Sequence, residues 1–159
     1  MKNNFLKIVL VLCLYANSYS QEKPTFDEII DENKGKLIYV DFWASWCKPC
    51  RKEMKDMPKL HKYYDNKDVI FVYLSIDLDE KKWIQISNKE GILDKKYNLL
   101  TVKMKKTDDF KLSKKFDFKI NAIPRYMLFD KNGELVNSNA PRPSEKKELI
   151  NLMDNYLLK

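Results

Sequence analysis

Two cysteines three residues apart, set between an apolar run and a basic, helix-favouring one, constrain this chain more than any other stretch. Leu37-Ile38-Tyr39-Val40-Asp41-Phe42-Trp43 leads into Trp46-Cys47-Lys48-Pro49-Cys50. Positions i and i+3 of a helix share a face, so a Cys-x-x-Cys pair that opens a helix holds two thiols close enough to bridge with little backbone movement. Pro49 suits such a start, because a proline in the first turn gives up an N–H that has no intrahelical partner. Thiol chemistry requires thiolate, and the free amides and positive dipole end of a helix start, with Lys48 and Arg51 nearby in sequence, favour it at Cys47. Cys47 is expected to be the nucleophile. Cys50, one turn inside, is expected to resolve the intermediate.

A permanent structural bridge and a zinc half-site compete with this reading. A staple gains most by closing a long loop, and a Cys47–Cys50 bridge closes almost none. Zinc wants four ligands, whereas residues 21–159 offer two cysteines and one histidine, His61. His61 is expected at a helix surface or boundary, with no metal site and no cofactor, the redox unit being the chain's own two sulfurs.

Residues 1–20 stand apart. Lys2 and Lys7 precede or enter the apolar run Ile8-Val9-Leu10-Val11-Leu12-Cys13-Leu14, and small residues follow at Ser18 and Ser20. This is the pattern of a secretory signal peptide, cleaved between Ser20 and Gln21, or retained as an amino-terminal anchor. Cys13 follows Leu12 where a lipobox wants a small residue, so it reads as part of the removed segment. The remainder, 21–159, is long enough for one domain with a sizeable core. The formal charge of +7 falls to +5 without residues 1–20, which hold two lysines and no acid. Lysines are scattered and interleaved with Asp and Glu, which points to a solvated surface of a monomer rather than to a nucleic-acid or membrane partner.

Along the chain, Thr25-Phe26-Asp27-Glu28 has the capping-box form and starts a helix running to about Asn33. Residues 36–42 are apolar on both alternating sets, as a central strand requires, with Asp41 the exception. From Cys47 a helix is expected to about Tyr64, kinked at Pro58, with Met54, Met57, Leu60, Tyr63 and Tyr64 facing the core. Val69 to Ile76 reads as a second strand, parallel to the first. Asp79 begins a helix carrying Trp83, Ile84 and Ile86, stopped near Gly91. Leu99 to Met104 reads as a short strand, and Thr107-Asp108-Asp109 as the cap of a helix to about Phe116. Arg125 to Phe129 and Glu134 to Val136 form a hairpin around Asn132-Gly133. Pro141 to Ser144 leads into a last helix bearing Leu149, Leu152, Met153, Tyr156 and Leu157.

Together these residues resemble a thioredoxin-fold protein over nearly all of 21–159. Val40-Asp41-Phe42-Trp43-Ala44-Ser45-Trp46-Cys47-Lys48-Pro49-Cys50 is similar to the thioredoxin active-site string, and Ala122-Ile123-Pro124 ahead of an apolar strand resembles its cis-proline loop. The amino-terminal helix, the long segment before that loop and the export signal are similar to the TlpA/ResA subgroup of exported thiol-disulfide oxidoreductases. The resemblance implies an α/β thioredoxin-like fold with a central mixed sheet and helices on both faces. It also implies that Pro124 is cis beside the sulfurs, with the backbone of Ile123 pairing with an extended substrate. Asp41, six residues before Cys47, matches the buried carboxylate that relays a proton to the resolving cysteine. Glu53 matches the glutamate of ResA-like members and is the rival, its alternative being a charge on the helix surface. Trp46 is expected to shield the sulfurs and offer an apolar contact beside Lys48 and Pro49, while Trp43 is core. One departure is Lys55, which stands where such proteins usually place the helix-kinking proline.

The function expected is exchange of the Cys47–Cys50 dithiol/disulfide with protein partners outside the cytoplasm, more as reductant, supplied by an upstream redox donor. Two readings from other classes remain: a copper- or zinc-binding metallochaperone using the same thiols, and a redox-silent interaction module.

Overall fold

The computed structural model describes residues 23–104, 112–116 and 120–158. Strand β1, Leu37–Trp43, has all seven residues buried, and that sets the architecture, because a strand apolar on both faces must be covered on both. Leu37, Tyr39 and Trp43 pack into one cluster with Met54, Met57, Leu60, Leu149 and Met153. Ile38, Val40 and Phe42 pack into another with Phe26, Ile29 and Ile30. Side chains alternate along a strand, so Asp41 faces the first layer, which also holds Cys47 and Cys50.

The other strands are β2 (Val69–Ser75), β3 (Asn98–Leu100), β4 (Arg125–Phe129) and β5 (Leu135–Asn137), and the sheet order is β3-β2-β1-β4-β5. β1 runs parallel to β2 and antiparallel to β4, so the sheet is mixed and β1 is its centre. The helices are α1 (Phe26–Glu32), α2 (Lys48–Glu53), α3 (Met57–Tyr63), α4 (Glu80–Lys89) and α5 (Lys146–Leu157). α2 and α3 form the crossover that a parallel β1–β2 pair needs. The capping box forms as expected: Thr25 Oγ1 accepts from Glu28 N at 3.1 Å and Glu28 Oε2 accepts from Thr25 N at 2.7 Å. The hairpin also forms, with Gly133 at φ +82°, a left-handed conformation that side chains disfavour.

Four expectations need correction. The single kinked helix from Cys47 to Tyr64 is two helices, broken at residues 54–56. Pro58 has no N–H to give the Met54 carbonyl, which accepts instead from Met57 N at 3.2 Å, and Pro58 becomes an early residue of α3. Tyr63, expected in the core, is exposed, and its hydroxyl donates to Asp154 Oδ2 at 2.7 Å on α5. The strand over Leu99 to Met104 is shortened to β3, followed by a 3₁₀ turn at Thr101–Lys103. Of the helix expected from Thr107 to about Phe116, residues 107–111 lie outside the described residues, and 112–116 are non-helical. There Asp27 Oδ2 accepts from Lys114 N at 2.7 Å and Ser113 Oγ from Phe116 N at 2.9 Å. The signal segment and Cys13 also lie outside the described residues. No helix among those described is long and apolar enough to cross a membrane.

Candidate active site

After Trp43 the chain turns through Ala44-Ser45-Trp46 and makes Cys47 the N-cap of α2. Cys47 N donates to Ala44 O at 3.0 Å and Cys47 O accepts from Arg51 N at 3.1 Å, which fixes the residue between turn and helix. Cys47 and Cys50 are joined as a disulfide, their Cα atoms 5.3 Å apart, and Cys47 Sγ accepts from Cys50 N at 3.2 Å. Cys47 is 5% exposed and Cys50 fully buried, so a partner approaching from solvent meets Cys47 first. Lys48 and Pro49 are exposed, and Trp46 is 65% exposed. An indole at that exposure is available as apolar contact surface beside the cysteines. Trp43 is core.

The turn that presents the cysteines is held by a residue the sequence reading did not single out. Asp77 is buried just past β2. Its Oδ2 accepts from Ser45 N and from Ser75 Oγ, both at 2.7 Å, and its Oδ1 accepts from Ser45 Oγ at 2.6 Å. The parallel register pairs Trp43 with Ser75, which brings Asp77 beside Ser45. An acidic residue two positions after a serine at the end of a buried parallel strand was the available signal. Leu78, next in the chain, is 87% exposed.

Asp41 lies in the middle of the sheet, in register with Tyr73 on β2 and Tyr126 on β4. It is 1% exposed, and neither carboxylate oxygen has a hydrogen-bond partner among the described residues. Burial, reinforced by the negative charge of Glu53, pushes its carboxyl well above the usual carboxylate range. The phenols of Tyr39, Tyr73 and Tyr126 are pushed up too, by burial first and then by neighbouring groups that include Asp41. Glu53 closes α2 and is 7% exposed, its Oε2 accepting from Ser144 N at 3.0 Å. The alternative of a helix-surface charge is therefore overturned for Glu53, because the chain ahead of α5 folds over it. Asp41 and Glu53 are brought near each other, and both are buried.

The Ile123–Pro124 bond is cis. β4 begins at Arg125, whose partner is Phe42, so the proline loop sits at the same end of the sheet as the Ala44–Trp46 turn. Ile123 packs against the cluster that holds both cysteines. A cavity of about 760 Å³ opens beside Pro124, lined by Glu53, Tyr126, Arg142, Ser144 and Glu145 among others. His61 is half-buried on α3, at a boundary as expected. Its Nε2 lies 2.7 Å from Tyr73 Oη, and burial, with the Lys95 charge, brings its pKa down to about 4. Among the described residues no group of three or more His, Cys, Asp or Glu side chains converges.

The sequence profile of the Thioredoxin-like family matches residues 35–135. Thiol-disulfide oxidoreductase ResA of Bacillus cereus is 32% identical over 103 residues, 65% of this chain and 54% of ResA. Thioredoxin-like protein YneN of Bacillus subtilis is 42% identical over 55 residues, covering 33% of this chain and 32% of YneN. The chain thus spans about half the length, or less, of these curated relatives. Among solved structures, a provisionally assigned thiol-disulfide oxidoreductase from Bacteroides vulgatus superposes with a TM-score of 0.59 at 34% identity, over 79% of this chain and 81% of the other. The thioredoxin domain of another Bacteroides vulgatus thiol-disulfide oxidoreductase, at 23% identity, shares the fold with a TM-score of 0.61, over 80% and 83%. With the profile spanning residues 35–135 and the fold shared with solved structures, the chain belongs to the thioredoxin-like family, and its curated relatives include ResA.

Proposed function

We propose that this chain catalyses thiol–disulfide exchange with protein partners outside the cytoplasm, chiefly as a reductant. The observation that carries the reading is the Cys47–Cys50 bridge, set at a helix N-cap in the same packed layer as the buried carboxyl of Asp41, which has no hydrogen-bond partner among the described residues. In the reduced protein the Cys47 thiolate, stabilised by the helix start, attacks one sulfur of a partner disulfide. The partner's S–S bond breaks, a Cys47–partner bond forms, and the other partner sulfur leaves as thiolate and takes a proton from water. Cys50 then gives its proton to a buried carboxylate and attacks Cys47 Sγ. The Cys47–Cys50 bond closes and the second partner thiolate leaves. The partner has gained two electrons, and an upstream dithiol donor returns them to this protein.

Asp41 is the carboxyl we assign to that proton, because it lies buried in the layer that holds both cysteines and burial has raised its proton affinity above that of an ordinary carboxylate. Glu53 acts beside it, reinforcing the shift. Trp46, Lys48 and Pro49 receive the partner's side chains, and the backbone of Ile123 ahead of Pro124 pairs with its extended chain. Residues 1–20 direct export, and the domain 21–159 acts as a monomer.

Cys50→Ala should accumulate mixed disulfides with partner proteins while Cys47→Ser should not; equal trapping by both refutes the assignment. A reduction potential near about −270 mV supports the reductant, and one near about −120 mV overturns the direction.

A further inference from the structure

One flank of the disulfide is cationic. Lys48, Arg51 and Lys52 on α2 and Lys55 just past its end line a shallow depression of about 190 Å³ with Glu90. Arg51 Nε lies 2.8 Å from Glu90 Oε1, so that cation is already answered. Lys48, Lys52 and Lys55 are exposed, and their ammonium groups have no ion-pair partner among the described residues. The cavity beside Pro124 is of the other sign: Glu53, Glu145 and Glu148 line it against one cation, Arg142. The helix that Cys47 caps therefore carries a positive depression, whereas the cavity beside Pro124 is negative. Unanswered charge beside a reacting group acts on whatever approaches it, through orientation and encounter rate.

We propose that the α2 flank receives an acidic segment of the protein substrate, next to the cysteine that Cys47 attacks, and so selects disulfides flanked by Asp or Glu on that side. This rests on the exchange reading above and names its substrate class. Three free ammonium groups around a depression that admits one or two side chains suit a short run of carboxylates. A nucleic acid or a lipid surface would need a broad cationic face, and here the depression is small and Glu90 is part of its lining. Trp46 and Leu78, both largely exposed, offer apolar contact to the same segment.

The test uses the full chain, two disulfide peptides identical except for flanking Asp or flanking Lys, and neutral hydroxyethyl disulfide as the reference rate. At about 0.01 M salt, where charge acts over about 30 Å, the acidic peptide should react at least about fivefold faster in kcat/KM, the preference vanishing near 1 M salt. Lys52→Glu with Lys55→Glu should reverse the preference after normalisation to the neutral disulfide. Cysteine-free versions of the peptides, titrated against the protein by tryptophan fluorescence, should show the same order of affinity. Equal rates and affinities for the two peptides would overturn the proposal. So would sedimentation with phosphatidylglycerol vesicles that depends on Lys52 and Lys55 without any peptide preference. Loss of all exchange, with the affinity difference intact, would refute the exchange reading and leave this surface standing.

Discussion

Replacing Asp77 by alanine removes the acceptor of three buried hydrogen bonds, from Ser45 N, Ser45 Oγ and Ser75 Oγ. Hydrogen bonds to a charged group contribute roughly 1.5–3 kcal/mol each, and donors stranded in a buried site add the cost of their lost solvation. The three share one acceptor and do not add fully, so the loss should come to roughly 3–5 kcal/mol, a large part of the ~5–15 kcal/mol that holds a domain together. With an ordinary urea slope of about 1.5 kcal/mol/M the unfolding midpoint should fall by roughly 2–3 M. Asp77→Asn keeps the shape. Its carbonyl can still accept from Ser45 N and Ser75 Oγ, and its amide can donate to Ser45 Oγ once that hydroxyl turns, so the loss should be only about 1–2 kcal/mol. Exchange with a small neutral disulfide should slow in the alanine variant, because the turn that aims Trp46 and Cys47 loses its anchor. A loss under about 1 kcal/mol for Asp77→Ala, or an asparagine variant as unstable as the alanine one, would refute the reasoning.

Asp41→Asn should be more stable than the parent protein at neutral pH. The native state of the parent keeps a proton on Asp41 where the unfolded chain has released it, so the parent loses stability as pH rises from about 3.8 through the raised native value. The difference between the two proteins in urea unfolding should vanish below that window and grow across it; a pH-independent difference would count against a buried, titrating Asp41. For His61, the native pKa of about 4 lies below the ordinary 6.5, so stability is full above 6.5 and lost as pH falls toward 4. His61→Gln should flatten that part of the stability profile. Gly133→Ala should cost about 1–3 kcal/mol in thermal or urea unfolding, since the residue is at φ +82° and a Cβ there would come within 2.9 Å of Ile30 Cγ2.

What was legible in the sequence was what local pattern determines. A strand apolar on both alternating sets had to be central, and β1 is. Thr25 with Glu28, Asp79, and Asn132-Gly133 each carried a cap or turn whose chemistry is complete within a few residues. Cys47, Pro49 and Cys50 belong to the same class, which is why their arrangement at the helix start was readable. Glu53 was not readable as buried, because its cover comes from Ser144, a residue distant in sequence whose amide reaches its carboxylate only in the folded chain. Asp77 was missed for a similar reason, since only the parallel register of Trp43 with Ser75 brings it beside Ser45. At Pro58 the expectation of a kink underestimated how fully two short helices separate when the Met54 carbonyl has a nearer donor in Met57.

The two margins of the sheet are strands of three residues each, and the β4–β5 margin is further interrupted by a shift of register between Leu128 and Phe129. Neither margin offers a row of open amides and carbonyls long enough to recruit a stray strand. A protein that in the proposed activity repeatedly meets other polypeptides would thereby be protected against strand-to-strand stacking on its sides, leaving the end of the sheet where the sulfurs lie as the place of encounter.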